Sequence, residues 1–211
     1  MPANPREHEI RTEGLDRLVF FSDAVFAIAI TLLILDIHLP SMEGPLDNAQ
    51  LLGQLAALWP RLFAYLLSFF VVAVFWLKHH TAFRYIKAYD SRLIWLNMLL
   101  LLVVSFIPFP TAVMSAQSNG VAAAFYSLTM AVGCGMSALI WRHATRSRRL
   151  VSDDLDPNVS HVILVSSILA GCVFLLAAGM DMVNVQWGML ALLLLIPVSN
   201  SHLWNRNPKR S

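Results

Sequence analysis

Apolar residues in this chain come in runs of about 20, broken by short stretches that hold nearly all of the charge. Runs of that length match a ~30 Å hydrocarbon core crossed at about 1.5 Å per residue. Six spans can be drawn, at about residues 18–39, 59–79, 93–111, 121–141, 159–180 and 183–204. From Leu93 to Trp141 there is no Asp, Glu, Lys or Arg, yet this stretch is too long for one crossing. Pro108, Pro110 and the polar run from Ser115 to Gly120 divide it into two helices joined by a turn. Backbone groups cannot be left unpaired in lipid, and runs such as Leu190 to Ile196 lack the alternation of a barrel strand. The pattern therefore predicts an all-α fold, a polytopic membrane protein with six transmembrane helices in one domain over residues 1–211. Met42 to Gln50 and Arg146 to Asn158 read as loops.

Composition agrees, since 57% of the residues are hydrophobic and only 13% charged, far from an ordinary soluble domain. The positions of the basic residues then give an orientation. Arg6, Arg11 and Arg17 precede the first span, and Lys78, Arg84, Lys87 and Arg92 lie around the second connection. Arg142, Arg146, Arg148 and Arg149 follow the fourth span, and Arg206, Lys209 and Arg210 close the chain. The opposite connections carry Arg61 with Glu43, Asp47 and Asp181. Both termini are expected in the cytoplasm, with the protein a multi-pass component of the cell's inner (plasma) membrane. Met1 to Gly14 is polar and has no cleavable leader pattern, so the first span is expected to be retained. A net charge of +2 gives no argument for a nucleic-acid partner; the lipid bilayer is the partner the pattern demands. Cys134 and Cys172 both fall inside apolar runs, which implies neither a disulfide framework nor a metal site, and no cofactor is expected.

Candidate chemistry concentrates in the first span, which contains Arg17, Ser22, Asp23, Thr31 and, at its far end, Asp36. A carboxylate within a membrane helix is unfavourable by roughly 2.5–3.5 kcal/mol, so Asp23 should face protein or water. It is a functional or an architectural residue. At about 100° per residue, placing Ile28 at zero sets Leu32 near +40°, Leu35 near −20° and Thr31 near −60°, one stripe, with Asp23 about 140° away. By itself such a stripe is ordinary lipid-facing or core surface.

The segment Arg17-Leu-Val-Phe-Phe21-Ser22-Asp23, continued by Ile28, Thr31, Leu32, Leu35 and Asp36, resembles the first-helix signature of the prokaryotic transmembrane protein 175 family of potassium channels. Phe75-Trp76-Leu-Lys-His79-His80-Thr-Ala-Phe83 is similar to the end of that family's second helix. Leu96-Asn97 and Ile107-Pro108-Phe109 are similar to its third. The resemblance implies a six-helix subunit, a pore lined by the first helix, potassium ions as the permeant species and a homotetramer as the assembly. It implies that Ile28, Leu32 and Leu35 form a hydrophobic constriction, with Thr31 contributing to selectivity. Arg17, Phe21, Ser22 and Asp23 would join Trp76 and either His79 or His80 in a hydrogen-bonded network behind the pore wall. The chain holds no Thr-Val-Gly-Tyr-Gly segment, so stacked carbonyls cannot supply the selectivity.

Two other classes of function compete. An enzyme using His79, His80 and Asp90 is disfavoured, because adjacent histidines on a helix diverge by about 100° and no catalytic motif accompanies them. A proton- or ion-coupled secondary transporter is the stronger rival, given the intramembrane Asp23. Such folds interrupt helices near the midplane, whereas Pro40, Pro60, Pro108, Pro110 and Pro197 sit at the ends of the expected spans.

Overall fold

The computed structural model describes residues 5–38, 47–117, 119–146, 148–184 and 188. Among these described residues seven α-helices follow one another: α1 (Pro5–Leu32), α2 (Asn48–Ala57), α3 (Trp59–Phe83), α4 (Ser91–Phe106), α5 (Pro108–Gln117), α6 (Gly120–Arg146) and α7 (Pro157–Asp181). A 3-10 turn, Leu33–Asp36, extends α1. Among the described residues five segments are long and apolar enough to cross a membrane: Glu13–Asp36, Trp59–Phe83, Ser91–Gln117, Gly120–Arg146 and Pro157–Asp181. They correspond to the first five expected spans. The sixth, 183–204, lies outside the described residues apart from its first two positions and Gly188.

The third span is longer than its apolar pattern suggests and is built from two helices. Pro108 and Pro110 supply no N–H, so the hydrogen-bond ladder lapses at Ile107, whose N–H reaches only to the Val104 carbonyl at 3.2 Å. The chain then resumes as α5 and carries Ser115 with it. Asn119 starts the next helix by accepting from the Ala122 N–H at 2.9 Å. The connection after the first span holds a helix that apolar length alone does not reveal. Asp47 and Gln50 form a reciprocal capping box for α2, whose leucines are mostly exposed.

Packing is that of a membrane bundle. Phe26 and Ala29 of α1 and Leu33 of the 3-10 turn meet Val72 and Phe75 of α3 and Leu100 and Val104 of α4, while Tyr126 and Met130 of α6 and Phe174 of α7 complete the core. Small residues allow the closest approaches. A Cβ on Gly133 would sit 2.9 Å from the Phe75 ring, and one on Gly171 would sit 3.3 Å from the Cys134 Cβ. Buried hydroxyls bond one another across helices, with Ser68 2.8 Å from Thr111 and 3.3 Å from the Tyr126 hydroxyl. Outward, Phe20, Phe70, Trp95, Leu102 and Leu176 are exposed, a surface suited to lipid rather than water.

The turns after α3 and after α6 meet. Lys87 N–H donates to the Leu150 carbonyl and Ser152 N–H to the Tyr85 carbonyl, each at 2.8 Å, around an isolated Ile86–Val151 bridge. Lys87 also pairs with Asp153 at 2.6 Å and His143 with Asp90 at 2.9 Å. Two connections rich in basic residues therefore share one end of the bundle.

Candidate functional site

The site is built on the two faces of α1. Its inner face carries Ser22, Phe26, Ala29 and Leu33, each at most 2% exposed. Ser22 Oγ donates back to the Leu18 carbonyl at 2.8 Å, which turns its lone pairs toward α4. There Asn97 Nδ2 donates to Ser22 Oγ at 2.9 Å, and Asn97 Oδ1 lies 2.9 Å from His79 Nε2 of α3. Since the amide oxygen can only accept, Nε2 carries the proton and donates. His79 is wedged between Phe83, 4.2 Å away and stacked, and Phe26 at 5.5 Å, and its Nδ1 is buried without a hydrogen-bond partner among the described residues.

Beside this chain runs a second link. The Trp76 indole N–H donates to Asp23 Oδ1 at 2.8 Å. One such bond offsets part of the cost of the carboxylate in a medium of low dielectric. Trp76 also stacks on His80 at 5.4 Å, which leaves His79 inside the network and His80 at its edge, exposed. Thus Ser22, Asp23, Trp76 and His79 come together from α1 and α3. Arg17 and Phe21 do not: both are exposed and neither makes any of these bonds. Asn97 is the member that residue pattern alone left without a role. The signal was present, because an amide alone in the apolar run from Leu93 to Val104 must find partners in the protein.

The other face of α1 has no partner among the described residues. Arg17, Phe21, Ala24, Ile28, Thr31, Leu32 and Leu35 are all exposed, Ile28 at 57% and Leu35 at 71%. The 3-10 turn keeps Leu35 on this stripe, since side chains three apart eclipse at about 120° per residue and Leu35 falls directly over Leu32. By the same step Asp36 falls over the buried Leu33, where its carboxylate accepts from Ser115 of α5. Thr31 Oγ1 donates to the Ile28 carbonyl at 2.9 Å. What Thr31 presents outward is therefore an oxygen with free lone pairs beside a branched apolar side chain.

Comparison with known proteins places this geometry in context. Residues 17–108 match the family model described as the endosomal/lysosomal potassium channel TMEM175. A potassium channel of Streptomyces collinus is 38% identical over 173 residues, covering 80% of this chain and 82% of that protein. One of Chamaesiphon minutus is 32% identical over 174 residues, covering 80% and 85%. The crystal structure of a lysosomal potassium-selective channel TMEM175 homolog from Chamaesiphon minutus superimposes with a TM-score of 0.78 at 29% identity, over 90% of this chain and 98% of that one.

Proposed function

Because the chain belongs to the TMEM175 family of potassium channels, we propose that it conducts potassium ions through a pore lined by α1, with Ile28, Leu32 and Leu35 as the constriction. The observation that carries this is the division of labour on α1. One face is fixed to α3 and α4 by Ser22, Asp23, Trp76, His79 and Asn97, and among the described residues the opposite face is left uncovered from Arg17 to Leu35. That uncovered face runs from Arg17 through Thr31 to Leu35 and aligns three bulky apolar side chains, Ile28, Leu32 and Leu35, with the Thr31 oxygen.

One chain supplies one such helix, so a closed pore needs several copies about an axis, and a cyclic homotetramer is the assembly we infer. Each subunit is read as six spans, the sixth at 183–204, with both termini in the cytoplasm of a cell bounded by this inner membrane. An apolar ring can stop ions by dewetting as well as by size. The Thr31 oxygens, one layer away, would replace part of the water that a potassium ion sheds at Ile28. Asp23, held behind the wall by Trp76, acts on the position of α1 rather than on the ions.

The alternative is a proton- or ion-coupled secondary transporter. Purified protein fused into a planar bilayer separates the two: a channel gives discrete current steps carried by potassium, and flux without unitary steps would favour a carrier.

A further inference from the structure

Lys78 is a charged side chain well inside the second span, and the pore reading does not use it. Lys78, part-buried on α3, donates to the Ser166 carbonyl of α7 at 3.3 Å, and among the described residues it has no carboxylate partner. An ammonium has three N–H donors, and one long bond to a neutral acceptor is poor compensation inside a membrane protein. The reading in which Lys78 merely staples α3 to α7 leaves a neighbouring space unexplained. A cavity of about 440 Å³ opens beside it between α3, α6 and α7.

The α3 residues that line the cavity run inward from the end of that helix. Arg84 and Tyr85 stand at the end of α3, and Thr81 and Lys78 follow inward. From Arg84 to Lys78 is roughly 9 Å along the helix, and Val74 lies about 6 Å deeper, at 1.5 Å per residue. Val74 and Leu100 line the cavity together with Ile140, Ile163, Ser137 and Ser167, and among the described residues no Asp or Glu lines it. Two cations without an opposing carboxylate among the described residues, beside the aliphatic Val74, Leu100, Ile140 and Ile163, match an amphiphilic anion. The cavity's Arg84 and Tyr85 lie at the end of the bundle where the basic connections meet, the end at which anionic headgroups would lie.

We propose that this cavity binds the phosphate of an anionic phospholipid, bridged by Lys78 and Arg84, with the first acyl carbons against Val74 and Leu100. The site lies away from the exposed stripe of α1, and its occupancy can be read without any ion flux. Failure of this proposal and failure of the channel reading are therefore distinguishable.

The test uses the full-length assembly in a neutral detergent, with native mass spectrometry and thermal unfolding as readouts. Phosphatidylglycerol should remain bound and raise the melting temperature, and phosphatidylcholine should do neither. Arg84→Gln and Lys78→Met should each weaken phosphatidylglycerol retention about fivefold, the loss expected when one basic residue leaves an anionic lipid. Arg84 is exposed, so its variant carries the test even if Lys78→Met does not fold. Inorganic phosphate at the same concentration should produce no shift. A Lys78-dependent shift with inorganic phosphate would mean that the cavity takes a free anion, and the lipid assignment would be overturned. Equal retention of the two lipids, or wild-type retention by Arg84→Gln, would overturn the site itself.

Discussion

Asn97 holds the buried network together through two bonds of opposite sense, giving from Nδ2 to Ser22 and receiving on Oδ1 from His79. Replacing it with Leu, of similar volume, leaves the His79 Nε2–H without an acceptor in a fully packed place. Asn97→Leu should destabilise the folded protein by about 1–2 kcal/mol, within the range of unsatisfied groups and of hydrogen bonds in membrane bundles. Thermal unfolding in detergent measures it, and a wild-type melting temperature would remove Asn97 from the network's centre. Asp23 behaves differently because its bond with Trp76 needs only an acceptor. Asp23→Asn keeps an oxygen for the indole and should retain most of the intact oligomer, whereas Asp23→Leu should lose it. Gel filtration of the two variants distinguishes them, and identical profiles would contradict this. The inner-face chemistry was partly legible from residues alone: an intramembrane carboxylate demanded a partner. The choice of Trp76 came from resemblance, and the choice of His79 over His80 required coordinates, since adjacent positions on a helix differ only in direction.

At the scale of elements, the joined turns at the ends of α3 and α6 carry a titratable contact. Asp90 caps α4 by accepting from the Leu93 N–H at 2.7 Å and also meets His143 of α6. Burial pushes the Asp90 carboxyl upward, but the bonds from Leu93 and His143 outweigh it and hold the group below the usual carboxylate range. A depressed value in the folded state means that the contact contributes fully above the ordinary carboxylate pKa of about 3.9 and is lost as pH falls through the lower, folded value. The wild type should therefore lose stability below about pH 4 more steeply than Asp90→Ala. Melting curves across that interval check the sign, and parallel curves would contradict it. The elements that were legible in the sequence are α1, α3, α6 and α7, long apolar runs set off by charge or, at the start of α6, by the polar run from Ser115 to Gly120. The short α2 escaped because it crosses nothing and buries none of its leucines, although Asp47 and Gln50 already spelled its cap. The division of the third span into α4 and α5 was written in Pro108 and Pro110. Its extension to Gln117 was not, because Ser115 reads as loop until Asp36 is placed beside it.

For the whole molecule, the account requires an even number of crossings and an axis shared by several copies. Tags at each end should be reachable only from the cytoplasm in intact cells, and an externally accessible C-terminus would contradict the six-span subunit. The central claim, that the exposed stripe of α1 is the ion pathway, is tested most directly by reversal potentials in liposomes under opposed potassium and sodium gradients. Ile28→Asn adds groups that hold water and removes a branched apolar face, so current should rise and the potassium preference should fall toward none. Thr31→Val keeps the volume and removes the oxygen, so the preference should fall without a comparable gain in current. Leu102→Asn, at an exposed position on α4, serves as the control and should change neither. If Ile28→Asn instead keeps the wild-type current and reversal potential while Leu102→Asn alters them, ions do not pass along α1.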